Sequence, residues 1–144
     1  MTIQRMDNVG IVVDDLDAAV AFFTELGMEL EGRSLIEGSW AEKVVGLGDM
    51  RSEVAMMRVP DGPGRLELVT YHSPKMVTPT PAVTPPNTLG LHRVMFAVDD
   101  LEDTLARLRR TAPNPSARCP ASRTATCCAT CAGRAGSSSR WPSS

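Results

Sequence analysis

The sequence changes character at Thr111, and that break limits what the chain can fold into. From Thr111 to Ser144 there is no Val, Ile, Leu, Met, Phe, Tyr, Asp, Glu or Lys. A segment without these residues cannot build a hydrophobic core. Ala, Ser, Thr, Arg, Pro, Cys and Gly make up almost all of it, and every residue there except Asn114 has C or G at its second codon position. A GC-rich gene read one nucleotide out of frame has this composition. The stretch Ser137-Ser138-Ser139-Arg140-Trp141-Pro142-Ser143-Ser144 can be encoded TCA TCG TCG CGC TGG CCG AGC AGC. With an A in front it reads Ile-Ile-Val-Ala-Leu-Ala-Glu-Gln, a plausible buried strand ending in a carboxylate. Cys127-Cys128-Ala129-Thr130-Cys131 likewise decodes to Leu-Leu-Arg-Tyr-Leu-Arg. We expect a one-nucleotide frameshift near Arg110; serine-rich low complexity is the alternative. Residues 111–144 are expected to form a disordered tail.

The break also divides the charge. All 17 acidic residues precede Thr111, against 11 basic ones, a net −6 for residues 1–110; the tail holds four arginines and no acid. So acidic a body argues against nucleic acid as a partner. No apolar run is long enough for a membrane span, and Met1-Thr2-Ile3-Gln4-Arg5 leads into an amphipathic strand rather than a signal peptide. The four cysteines (Cys119, Cys127, Cys128, Cys131) all lie in the tail. Cys128-x-x-Cys131 is half a zinc knuckle with no second pair and no nearby His. A cysteine-free body suits a cytoplasmic location.

The body holds a repeat at an offset of 85 residues: Asn8-Val9-Gly10-Ile11-Val12-Val13-Asp14-Asp15-Leu16-Asp17 aligns with Arg93-Val94-Met95-Phe96-Ala97-Val98-Asp99-Asp100-Leu101-Glu102. Each copy is an apolar strand, then Asp-Asp-Leu-acid, then a helix. The first helix places Leu16, Ala19, Val20, Phe23 and Leu26 on one face, with acids in its first turn and Gly27 at its end. The second repeats the stripe with Leu101, Leu105 and Leu108. Strands are expected within 28–38, over 54–59 and over 65–71, the last two joined by the turn Pro60-Asp61-Gly62-Pro63-Gly64. The unit is therefore βαβββ. The expected organisation is a domain over 1–110, with module one at 3–72, a Pro/Thr-rich linker at 73–88 and module two from 89.

These residues resemble the vicinal oxygen chelate superfamily, the glyoxalase/bleomycin-resistance/dioxygenase fold. Its matching elements are Asn8 to Leu16, Glu25-Leu26-Gly27, Arg65-Leu66-Glu67-Leu68 and Gly90 to Leu101. The resemblance covers residues 3–110 and implies an α+β fold of two βαβββ modules whose curved mixed sheets surround a pocket, the second incomplete because of the tail. It implies a glyoxalase-like lyase or isomerase acting on a small, oxygen-rich metabolite. The alternatives are a non-catalytic, drug-sequestering binding protein and an inactive frameshifted product. It also allows a divalent metal acting as a Lewis acid and a homodimer.

Of the family's metal-ligand positions, Glu67 matches. Asn8 stands where the family usually has His or Gln. Arg93 stands at the third position and cannot ligate a cation. The fourth falls in the tail. We therefore expect a polar pocket, with Glu67 as a base or metal ligand and Arg93 holding an anionic substrate oxygen. Asn8, Trp40 and His92 are candidate substrate contacts. The plainer alternatives are an outward-facing Glu67, a surface Arg93, a partly exposed strand histidine at His92 and a solvated loop at Trp40 and Glu42.

Overall fold

In the computed structural model, the described residues are 2–78, 80, 87, 89–91, 94–111 and 126–128; for Thr111 and 126–128 the description is of the backbone. They divide into two compact units, Met1–Val77 and Thr78–Ser144, and the boundary lies within the expected linker.

In the first unit, β1 (Val9–Val12) leads to α1 (Leu16–Leu26), β2 (Glu29–Glu37), α2 (Ser39–Val45), β3 (Arg51–Arg58) and β4 (Arg65–Ser73). The strand order is β1-β4-β3-β2. β1 runs parallel to β4, with Gly10 opposite Glu67; the β4–β3 and β3–β2 pairs are antiparallel. This is a mixed, curved and unclosed sheet, and the architecture is α+β as expected. Asp15 caps α1 by accepting from the Ala18 N–H at 2.9 Å, which satisfies one of the free donors of the first turn. Gly27 ends the helix in the left-handed region, at φ 113°, where a side chain is disfavoured.

One face of the sheet carries the core. Alternation along β3 and β4 sends Ala55, Met57, Leu66 and Leu68 toward α1, and all four are buried. Phe23, Met57 and Leu68 are the largest fully enclosed side chains, each stabilising the fold by roughly 1.5–3 kcal/mol through burial. The helix stripe differs from expectation at one place. Phe22 is buried and Val20 only half so, because a core-facing stripe is wide enough to take two adjacent positions. Phe22 and Phe23 meet edge-to-face at 5.2 Å. β3 begins three residues before the expected 54–59 run. Its first residue, Arg51, pairs with Ser73 and also with Glu37, so ladder bonds carry the strand beyond its apolar segment.

The second unit contains β5 (Met95–Ala97), α3 (Leu101–Thr111) and β6 (Thr126–Cys128). Asp100 accepts from the Asp103 N–H at 2.9 Å, the same cap that Asp15 provides 85 residues earlier in the sequence. Leu108 and Thr104 are buried on α3, and Leu101 and Leu105 are half-buried. A tail without structure was expected from Thr111, yet α3 includes Thr111 and Thr126–Cys128 pairs antiparallel with β5 as β6. Strand pairing uses backbone groups, which these residues possess whatever their side chains. The rest of that expectation lies outside the described residues.

Candidate functional site

A cavity of about 480 Å³ lies on the sheet face opposite α1, lined by first-unit residues. Its floor is built by alternation and register. Met56 lies opposite Glu67 and Gly32, while Val54 lies opposite Val69 and Ser34, so these residues share the face that α1 does not cover. α2 forms the wall with Trp40, Ala41, Val44 and Val45. It ends at Gly46, in the left-handed region at φ 78°, which turns the chain back toward β3.

Glu67 is half-buried in this cavity. Its neighbours Leu66 and Leu68 face the core, and that fixes its side chain toward the open face. Glu67 thus faces the cavity side of the sheet, away from the core. Asn8 precedes β1, and its Nδ2 donates to Glu67 Oε2 at 2.8 Å across 59 residues of sequence. The parallel β1–β4 pair brings the two together. The other carboxylate oxygen has no hydrogen-bond partner among the described residues, so it can accept a hydrogen bond or take a proton.

Trp40 lines the cavity from α2 with 72% of its surface exposed. The solvated-loop alternative is corrected here: Trp40 and Glu42 lie on a short helix, and Glu42 is absent from the cavity lining. Ser39 at the start, Gly46 after the end and apolar residues at 40, 41, 44 and 45 were the available signal. Sequence reasoning also missed Ser34, Ile36, Val54 and Met56. Their face becomes known only once the β2–β3 register is fixed. That register shifts between Leu30 and Gly32, so simple counting along β2 misassigns the face. His92 and Arg93 lie outside the described residues.

These residues do not suit a metal. Among the described residues no three His, Cys, Asp or Glu side chains come together. Among the described residues the hydrogen-bond partner of Glu67 is the Asn8 amide, which presents its donor. One carboxylate falls short of the several oxygen or nitrogen ligands that divalent cations require.

A family model described as Glyoxalase/Bleomycin resistance protein/Dioxygenase superfamily matches residues 5–114. The chain belongs to this superfamily. The glyoxalase family match therefore ends three residues past the composition break at Thr111. Among solved structures, the chain is similar to a glyoxalase family protein from Bacillus cereus. The two are 45% identical, with a TM-score of 0.71, over 76% of this chain and 73% of that one. No curated protein matches the chain. No helix among the described residues is long and apolar enough to cross a membrane.

Proposed function

We propose that this glyoxalase-family chain is a small-molecule-binding protein whose ligand sits on the open sheet face, held by Glu67. The supporting observation is the Glu67 carboxylate, steadied by Asn8, in a cavity whose walls are mostly apolar and whose other polar lining residues are Glu31 and Ser34. Such a site has the shape and chemistry of a ligand pocket. Isothermal titration with a small-molecule fragment set tests it. Saturable binding that weakens in Glu67→Gln, without turnover of methylglyoxal–thiol adducts, supports the reading.

A lyase or isomerase is the second reading, favoured by the unpartnered oxygen of Glu67. A carboxylate placed so could take a proton from carbon next to a carbonyl, as general-base catalysis requires. Adduct turnover that disappears in Glu67→Gln would select it over simple binding.

A further inference from the structure

Among the described lining residues Gly32 alone lacks a side chain. It lies at the β2 bulge: Leu30 is opposite Met57 and Gly32 opposite Met56, which leaves Glu31 as the extra residue. The kind of bulge that needs a glycine holds it in the left-handed region, and Gly32 has no positive φ. A Cβ there would meet no atom within 4 Å among the described residues. Glycine inside a strand weakens it, and where no turn or clash demands it, it marks a place where another group comes close to the backbone.

The register shows what shape of group fits. Met56 lies between Glu67 and Gly32 in the ladder, so the three form a row across β4, β3 and β2. The next row, Val69, Val54 and Ser34, carries side chains throughout. The Glu67 row is therefore a trough with a carboxylate at one end, an apolar floor at Met56 and bare backbone at the other end. Glu31, which the bulge brings to the same cavity, ends on Arg65 instead of over Gly32: two guanidinium nitrogens meet its two oxygens at 3.1 Å each, a two-point grip. From Glu67 to Gly32 is two strand spacings, about 9.5 Å, which one aromatic ring does not span and two fused rings do.

We propose that Gly32 sets the reach of the pocket and selects a ligand with a flat body of two fused rings. A polar head meets Glu67, the first ring lies over Met56 and the second lies against the bare backbone at Gly32. Any side chain at position 32 would take the place of the second ring. This inference rests on the reading of the cavity as a small-molecule site.

Benzamide and 2-naphthamide share an amide head that can donate to Glu67 and differ by one fused ring, so titrating each into the full chain by calorimetry tests it. 2-Naphthamide is expected to bind at least about tenfold tighter, given the apolar area that its second ring buries. Gly32→Val should remove that preference. Gly32→Ala adds one methyl and should reduce the preference by a smaller factor; it carries the test if the valine chain does not fold. Equal or tighter binding of benzamide by the unmodified chain overturns the inference and leaves the small-molecule reading standing. The same holds if the full preference survives in Gly32→Val, or in Gly32→Ala where that variant carries the test. Failure of both amides to bind overturns both.

Discussion

Asn8 is the partner that steadies Glu67, and its removal tests how much that contact contributes. Asn8→Ala leaves the carboxylate half-exposed to water, so the expected loss is only about 1 kcal/mol, the net worth of one hydrogen bond, read from urea denaturation. A chelator is expected to leave the thermal midpoint unchanged, since a carboxylate beside an amide does not hold a divalent cation firmly; a lowered midpoint would show that a metal is present. Just ahead of Asn8, the Arg5 guanidinium bonds to Asp7 at 2.6 Å. This side-chain hydrogen bond, aided by charge attraction, holds the Asp7 carboxyl below the usual carboxylate range. A depressed value means the pair contributes at neutral pH and that its contribution is lost as pH falls through the folded-state value. Both groups are exposed, so the effect on stability is small. Arg5→Gln should raise the Asp7 value to the ordinary range in an NMR titration. At this scale Glu67 was legible, because Leu66 and Leu68 on either side of it mark the core face. Trp40 was ambiguous, because an exposed aromatic in a short segment carries no periodic signal.

The elements that the sequence announced best are those with strong ends. α1 has Asp15 before it and Gly27 after it, and both act as caps. Asp15→Ala is expected to cost about 0.5–2 kcal/mol, measured by chemical denaturation. Phe23→Ala in the same helix should cost more, about 3–5 kcal/mol, since its side chain is 1% exposed. The repeated Asp-Asp-Leu sequence had a physical meaning that its apolar residues did not show: the second aspartate of each copy is a helix cap. α2 was missed because its seven residues make fewer than two full turns, too few for a helical period to stand out. The face assignment of β2 was lost for another reason. The bulge sits beside Gly32, a residue type that often marks one, but its place was not read, and one extra residue reverses which side chains look into the cavity.

For the whole molecule, the superfamily match and the composition agree on one boundary, near residue 111. Resequencing the gene across the codons for Leu105 to Ser144 is expected to reveal one nucleotide gained or lost. A confirmed gene whose product has the 15.5 kDa mass of this sequence would sink that expectation. The first unit was readable because its apolar periods, turns and caps agree with one another. The tail offered no such agreement, and composition was its only message. The Asn8–Glu67 contact, finally, joins the two ends of the first unit. The pocket is lined from β2, α2, β3 and β4, so no partly folded chain with those strands apart can present it. A ligand held there stabilises the assembled unit against all such forms in proportion to the logarithm of its concentration. Occupancy of the pocket is thus a direct reading of how much of the chain has closed the β2–β3–β4 ladder, and hydrogen exchange along Arg51 to Arg58 should slow as the ligand is added.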